Sequence, residues 1–304
     1  MQTRPAKAAW LSWLEYLPAA ALLSLLRRLP HRWSLGLGWL LGSLGWLLLP
    51  GYRAVARVNL RIALGPGLCA SERRRITRGA FINLLQTALE FALLSRLDWH
   101  GVDRLTHSPE GYEEYRAALA QGRGVIACGI HLGNWYWPVV CAALEGFPVH
   151  VVVRPLDNPR LDRLMNRAFA HHGIGVIPRR RVFPRALAVL RRGETLGLMI
   201  DQNAAVGGSF VPLFGVPAST MRGLAALRRT GAEIVLVHDV RDAGKHRITA
   251  RWLRELPTDE DACLAALLQQ HEPLILRHRE QYLWLHPRWK HRPPGEAPLY
   301  RRDL

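Results

Sequence analysis

Acidic residues are scarce in this chain of 304 residues, which has 24 Asp and Glu against 41 Lys and Arg and a formal net charge of +17. Such a balance suits an anionic partner, for example nucleic acid, an acidic carrier protein or the phosphates of a membrane surface. The sequence shows no recognisable nucleic-acid-binding motif, and its tryptophans lie largely in apolar surroundings. We therefore expect no nucleic-acid partner.

Cysteine is scarce as well, and the four cysteines are widely scattered. They are Cys69, Cys128, Cys141 and Cys263. None forms a CxxC pair, and the histidines lack the spacing of metal ligands. The chain also has no GxSxG motif, which excludes the serine nucleophile of the α/β-hydrolases. The sequence therefore predicts reduced thiols, no metal site and no cofactor.

Charge is missing altogether from residues 33–52, where Leu, Gly and Trp dominate. Roughly 20 apolar residues are enough to cross the hydrocarbon core of a bilayer. Basic flanks, several glycines and Pro50 leave two alternatives open: the segment spans a membrane, or it lies in the interface as a helical hairpin. We expect residues 1–57 to form membrane-anchoring hydrophobic helices and residues 58–304 to form the catalytic domain.

From residue 124 onward, short apolar runs alternate with helical segments. Strands are predicted at residues 125–130, 148–153, 175–177 and 195–200, and further strands at 234–238 and 247–253. Short buried strands separated by helices favour a largely parallel sheet. The predicted fold class is therefore α/β, with a mostly parallel central sheet flanked by helices and a hydrophobic, membrane-associated helical segment before it.

Three unlike polar residues each come directly after a predicted strand. They are His131, Arg154 and Asp201. Because parallel strands end at the same edge of a sheet, these side chains are expected at one edge, where open α/β sheets bind their ligands. Taken alone, each residue has an ordinary interpretation as a turn, surface or helix-capping residue. The occurrence of all three at one edge predicts a functional site.

This set of groups suits acyl transfer. A neutral imidazole accepts the proton of a hydroxyl that attacks an acyl carbonyl, provided that a carboxylate fixes its tautomer. We expect Arg154 to bind a phosphate or to neutralise the charge that develops on the thioester oxygen. The backbone amides of Gly133 and Asn134 are candidate donors to the same oxygen.

Several motifs recur in order nearly from end to end of the chain. They are 58–60 (VNL), 131–135 (HLGNW), 154–159 (RPLDNP), 201–202 (DQ), 211–218 (VPLFGVPA), 229–232 (RTGA) and 284–290. With these motifs the chain resembles the bacterial lipid A late (lauroyl/myristoyl) acyltransferases, a family within the lysophospholipid acyltransferase superfamily.

The resemblance implies a glycerol-3-phosphate acyltransferase-like fold and transfer of a fatty acyl group from acyl carrier protein, or from acyl-CoA, to a hydroxyl of a membrane glycolipid. It also implies an anchor in the bacterial inner membrane, with the catalytic domain on the cytoplasmic face. We expect His131 and Asp201 to be catalytic. The expected substrate-binding residues are Gly133, Asn134, Tyr136, Arg154 and Asp157.

The chain departs from the family at one position. The family signature places a Glu or Asp five positions after the histidine, and here that position is Tyr136. A phenol, with its usual pKa of about 10, does not replace a carboxylate as an anionic partner at neutral pH. Three alternatives follow: Asp201 orients His131, Tyr136 itself hydrogen-bonds to His131, or catalysis is lost.

The alternatives differ in function. The first two describe an O-acyltransferase with His131 as general base, whereas the third describes a catalytically impaired lipid-binding homologue. A further alternative keeps the mechanism but changes the acceptor to a lysophospholipid, an ornithine-type lipid or a pigment headgroup. A basic cluster at Arg179, Arg180, Arg181 and Arg185 is a candidate docking face for an acidic carrier protein.

Overall fold

The alternating strands and helices form a central six-stranded sheet with helices on both faces, as the sequence predicts. The structure is a computed structural model that describes residues 9–94, 96–178 and 182–300. Within these residues the sheet is formed by strands between residues 125 and 253, and six consecutive helices precede its first strand.

The helices are α1 (Ala9–Leu26), α2 (His31–Leu48), α3 (Pro50–Leu64), α4 (Ala70–Leu94), α5 (Trp99–Arg104), α6 (Tyr112–Ala120), α7 (Trp137–Leu144), α8 (Pro159–His171), α9 (Val182–Arg191), α10 (Leu224–Arg228) and α11 (Glu260–Arg277). The strands are β1 (Val125–Gly129), β2 (Val149–Val153), β3 (Gly175–Pro178), β4 (Thr195–Met199), β5 (Ser209–Leu213), β6 (Val216–Thr220), β7 (Glu233–Asp242) and β8 (Lys245–Leu253).

The strand order in the sheet is β3-β2-β4-β1-β7-β8. Neighbouring strands from β3 to β7 are parallel, and β8 joins β7 as an antiparallel edge strand. The chain leaves β1 toward β2 on one side, whereas after β4 it returns toward β7 on the other. The crevice between the carboxyl ends of β1 and β4 is therefore a topological switch point, where such sheets bind ligands.

A two-stranded hairpin, β5–β6, lies outside this sheet and was not predicted. Its two turn residues, Phe214 and Gly215, both have positive φ (51° and 72°), as a tight type I′ hairpin requires. The hairpin packs on α11. It matters for the site because β6 presents backbone and hydroxyl oxygens to a buried arginine described below.

Helix α2 packs closely on α4 through small residues at four-residue spacing, Ser34, Gly38 and Gly42. A Cβ atom on Gly42 would stand 2.7 Å from the backbone nitrogen of Ile82, so the two helix backbones are nearly in contact. The other face of α2 is apolar and exposed. Its exposed residues include Trp33, Trp39, Leu40, Leu44, Leu47 and Leu48.

The charge-free segment 33–52 is not one continuous helix. Helix α2 ends at Leu48, and α3 starts at Pro50, whose ring disfavours a helical Leu49 but fits the first position of a new helix. Within the described residues, no single helix has both the length and the apolar composition to cross a bilayer. Only α2 and α3 taken together do, and they meet at 91°.

The close approach of α2 to α4 makes a testable prediction about two glycines of α2. Gly42→Ala introduces a Cβ into the backbone of α4, and we expect it to lower the free energy of unfolding by roughly 1–3 kcal/mol. Gly36→Ala is the matched control, because a Cβ there has no heavy atom within 4 Å. Alanine's higher helix propensity should stabilise that variant by up to about 1 kcal/mol. Urea unfolding in detergent micelles measures the free energy of unfolding of both variants. An equal change in the two variants would contradict the close packing of α2 on α4.

Candidate active site

His131 and Asp201 meet at the switch point because of the register of β1 and β4. Gly129 pairs with Met199 at the last paired position of the two strands. His131 comes two residues after Gly129, and Asp201 comes two residues after Met199. The Nδ1 atom of His131 lies 2.7 Å from Oδ1 of Asp201, and the backbone N–H of His131 donates to Oδ2 at 2.8 Å. One carboxylate therefore holds both the ring and the backbone of the histidine.

The charge on Asp201 fixes the orientation of the imidazole. Burial by itself would raise the pKa of this carboxyl, but His131 and the Arg288 guanidinium lower it to about 2. An ionised carboxylate only accepts hydrogen bonds, so we assign the proton of a neutral His131 to Nδ1. Nε2 then carries a free electron pair, and the side-chain amide of Gln202 lies 3.2 Å from it. This arrangement suits a general base.

The carboxyl-terminal segment after α11 completes the environment of Asp201. The N–H of Leu283 donates to the carbonyl of His131 at 3.0 Å. Tyr282 and Asp201 line the same small hollow, and burial together with the charge of that carboxylate raises the pKa of Tyr282 well above its usual range. Arg288 is buried and donates to the carbonyl of Ser219 and to Oγ1 of Thr220 on β6, both at 2.6 Å. The hairpin thus holds the cation near Asp201.

A second buried group of charges holds the loop after His131. Asn134 donates its backbone N–H to Asp239 (2.9 Å) and its side-chain amide to Glu90 (3.0 Å). His246 bridges the two acids, with ring nitrogens 2.9 Å from Asp239 and 3.1 Å from Glu90. Arg241 forms an ion pair with Glu90. We refer to these five residues as the buried charge network.

The charges in this network balance. Burial alone would lower the pKa of His246, but Asp239 and Glu90 raise it to about 9, so the imidazole is protonated at neutral pH. Burial would raise the pKa of Glu90, yet Arg241 and His246 hold it well below its usual range. Two anions are therefore compensated by two cations, which is the condition for keeping ionised groups inside a protein.

Gly133 has a structural role in the same loop. Its φ is +57°, and a Cβ atom would stand 2.7 Å from the carbonyl carbon of Asp239. Its carbonyl accepts hydrogen bonds from Asn83 (3.0 Å) and Thr87 (2.9 Å) of α4, and its N–H donates to the carbonyl of Gln281 (3.1 Å). Both backbone amides considered as oxyanion donors, those of Gly133 and Asn134, are thus engaged by protein oxygens.

One group of side chains has the composition of a metal site. The ligand atoms of His31, Glu90 and His246 lie within 4.8 Å of one another. His31 Nε2 is 2.8 Å from Glu90, and Glu90 also binds Arg241. Because a protonated His246 offers no electron pair and a guanidinium repels a cation, these residues fit an ion-pair network better than a metal.

Tyr136 contacts neither nitrogen of His131 among the described hydrogen bonds, since Asp201 and Gln202 occupy those positions. Its ring packs instead against Phe91, with centroids 4.6 Å apart, and against Phe169 at 6.0 Å. Burial raises the pKa of the phenol. Tyr136 therefore belongs to an apolar wall, and the structure brings Asp201 to the histidine in place of a residue at position 136.

That wall encloses an apolar cavity of about 120 Å³ between the sheet and α7. Trp135 lines this cavity and also lies edge-on to the His131 imidazole, with ring centroids 4.9 Å apart. Small residues on one face of the central strands create the space: Ala127, Gly129 and Gly197. The lining of β2 from Val149 to Val153 gives the cavity a length of about 13 Å along the strands.

The remaining predicted residues lie farther from the pair. Arg154 and Asp157 are exposed on the loop after β2, on the same edge as His131 but beyond β4. Asn158 behaves as its position before a proline predicts, since its side chain accepts from the N–H of Arg160 at 2.9 Å and starts α8. Arg179, Arg180 and Arg181 lie outside the described residues.

Sequence reasoning did not identify the buried charge network or the residues that support Asp201. A signal for the former was present, because Glu90 interrupts the apolar stripe of α4 between Leu89 and Phe91. An acid in such a position is seldom buried without a partner. The partners were not apparent, because Asp239, Arg241 and His246 come from a distant hairpin.

The chain matches a known family model over most of its length. The family model described as bacterial lipid A biosynthesis acyltransferase matches residues 4–291. The chain is 28% identical to the lipid A biosynthesis palmitoleoyltransferase of Escherichia coli K12, over 96% of the chain and 94% of that relative. It is 29% identical to the lipid A biosynthesis lauroyltransferase of the same organism, over 96% of the chain and 95% of that protein. The chain therefore belongs to the bacterial lipid A biosynthesis acyltransferase family, a family of acyltransferases.

Proposed function

We propose that this protein transfers a fatty acyl chain from acyl carrier protein, or from acyl-CoA, to a hydroxyl of a lipid A-type glycolipid. In this proposal the helices within residues 1–57 attach the protein to the inner membrane, and residues 58–304 form the acyltransferase domain on the cytoplasmic face. The observation that carries the proposal is the His131–Asp201 hydrogen bond, together with Trp135, which packs on the imidazole and lines the apolar cavity.

The reaction uses one proton-transfer group. The acceptor hydroxyl gives its proton to Nε2 of His131 while its oxygen attacks the thioester carbonyl. Asp201 stabilises the resulting imidazolium through Nδ1–H. When the tetrahedral intermediate collapses, the carbon–sulfur bond breaks and the departing thiolate takes the proton from Nε2. An ester and a free thiol result, and the histidine is neutral again.

Gln202 and Arg154 are the groups we assign to the oxyanion. The Gln202 side chain is exposed and lies against Nε2, so it has to rotate when the acceptor hydroxyl binds there. After that rotation its amide becomes a donor for the carbonyl oxygen. Arg154 supplies positive charge from the same edge, and Asp157 and Tyr136 contact substrate in this proposal. Gly133 and Asn134 act by shaping the loop, because their amides are already engaged.

The apolar cavity is the proposed site of the acyl chain. Trp135 joins this cavity to the imidazole, so in this proposal a chain inserted there has its carbonyl near Nε2. Aromatic and aliphatic side chains line it almost throughout, and the burial of a hydrocarbon chain against them is favourable. The length of the cavity then limits the length of the chain.

The general-base role makes a direct prediction. In the full-length protein in detergent micelles, with an acyl carrier protein donor and a glycolipid acceptor, we expect His131→Ala to lower kcat by about 10³-fold or more, because the hydroxyl loses its proton acceptor. His100→Ala, at an exposed position on α5, is the matched control and should leave turnover unchanged. Turnover by a folded His131→Ala protein at the wild-type rate would refute the assignment.

The cavity makes a second prediction. Ala142 lines the cavity from α7, toward the end away from His131, and Ala142→Leu shortens the available space. We expect kcat/KM for the longest accepted donor to fall roughly 10–200-fold, while shorter donors are affected less. Ala188→Leu, on the exposed face of α9, is the control. A chain-length profile that Ala142→Leu leaves unchanged would remove the acyl chain from this cavity.

A further inference from the structure

Three arginines form a row on α3, of which one is partly buried and two are exposed. Arg53, Arg57 and Arg61 recur every four residues, so they share one face of the helix. The opposite face is buried, and there Asn59 donates to the carbonyls of Trp284 (2.7 Å) and His286 (2.8 Å). Contacts on the buried face therefore fix the helix, and its basic face is left for another partner.

The start of α4 completes a basic groove. Arg73 and Arg74 lie opposite the row on α3, and two adjoining hollows of about 360 and 260 Å³ lie between the helices. Arg57 and Arg73 line both hollows. We call this feature the arginine groove and define it by Arg53, Arg57, Arg61, Arg73 and Arg74.

The arginine groove has no acidic counterpart within the described residues. Glu72, in the same turn as Arg73, forms its ion pairs with Arg75 and Arg279. Arg53 donates to the carbonyl of Leu47 at 2.7 Å, and Arg73 donates to the carbonyl of Leu68 at 3.3 Å. These carbonyls orient the guanidinium groups but leave their charge uncompensated, so the groove attracts anions.

The groove adjoins the exposed apolar face of α2. Trp46, in the last turn of α2, lines one hollow, and the guanidinium of Arg53 lies 5.4 Å from its ring centroid. The 91° bend between α2 and α3 separates the apolar face from the basic row. Such an order of apolar surface, tryptophan and arginine matches the order of acyl chains, interface and phosphates in a bilayer.

We propose that the arginine groove binds the headgroup phosphates of anionic phospholipids. The proposal rests on the membrane association in the proposed function, and it assigns that association to the residues of the arginine groove. The groove shares no lining residue with a small separate hollow that is lined by His131, Asp201 and Gln202, which favours a role in membrane docking over acceptor binding. Guanidinium groups suit phosphate oxygens because they donate two parallel hydrogen bonds.

Vesicle flotation tests the proposal with the full-length protein. The variant is Arg57→Gln with Arg73→Gln, which removes the two charges common to both hollows but keeps side chains of similar polarity. We expect it to bind vesicles of phosphatidylcholine with phosphatidylglycerol roughly 30-fold more weakly than wild type, which corresponds to about 1 kcal/mol per arginine near a charged surface. Binding to pure phosphatidylcholine should change little, and added salt should reduce the difference.

Two controls separate this proposal from its alternatives. A variant with Arg251→Gln and Arg254→Gln removes the same net charge from exposed positions at the end of β8. If that variant lost as much binding to anionic vesicles, a specific role of the arginine groove would be refuted. His131→Ala should bind vesicles like wild type, so the failure of the transferase assignment and the failure of the groove are distinguishable. If the variant with Arg57→Gln and Arg73→Gln lost acyl transfer in neutral detergent micelles by the same factor as vesicle binding, the phospholipid assignment would be overturned. A loss of carrier-protein binding by that factor would overturn it as well.

Discussion

The hydrogen bond between Asp201 and His131 is the interaction on which the proposed chemistry depends. It fixes the tautomer that leaves Nε2 free, and it exists because β1 and β4 are adjacent, parallel and in register. Each residue lies two positions beyond a paired position, where the sheet opens at its switch point. His131 and the charge of Arg288, which the β5–β6 hairpin holds in place, lower the pKa of the carboxyl. The site is thus assembled from segments that are far apart in sequence.

The histidine loop needs a second constraint, since a base is effective only if it is held in place. The buried charge network supplies it from the opposite side, because Asn134 connects the loop to Glu90 and Asp239 at once. Its cations come from β7 and β8, while His31 at the start of α2 also reaches Glu90. The apolar helices and the loop after His131 therefore share one buried acid. Removing a single partner would leave an uncompensated charge in the interior, which is strongly destabilising.

The sequence was sufficient to predict the edge of the sheet where the site lies. His131 and Asp201 follow apolar strands, and parallel strands bring their ends together whatever their order. It was also sufficient to predict that Tyr136 replaces the acidic residue of the family signature, because that position is found by counting five residues on from His131. It placed Asp201 at this edge as the expected catalytic carboxylate, but it could not predict the hydrogen bond to His131, since strand adjacency and register are tertiary properties. The polar edge of the sheet did not predict the cavity, which depends on small residues such as Gly129 and Gly197 aligning across strands.

The amino-terminal helices illustrate the opposite case. Composition indicated a charge-free segment long enough to cross a bilayer, but Pro50 divides it and the small residues of α2 turn one face toward α4. The apolar residues of α4 recur at helical spacing, yet this pattern gives no reason to expect that Glu90 inside it connects four elements. Patterns within one segment predict local structure well, whereas long-range polar contacts need the folded chain.

A comparison of Asp201→Asn with Tyr136→Phe tests most directly which residue took over the role of the missing acid. Both variants change one polar group, and both can be checked for an unchanged thermal midpoint. If Asp201 orients the imidazole, kcat for acyl transfer falls about 10³–10⁴-fold in Asp201→Asn, as the loss of the orienting carboxylate causes in other His–Asp pairs. Tyr136→Phe should keep kcat close to that of the wild type. A folded Asp201→Asn protein with wild-type turnover would contradict the assignment of Asp201 as the orienting residue. A Tyr136→Phe protein whose kcat falls by a factor of about 10³ or more would contradict it too.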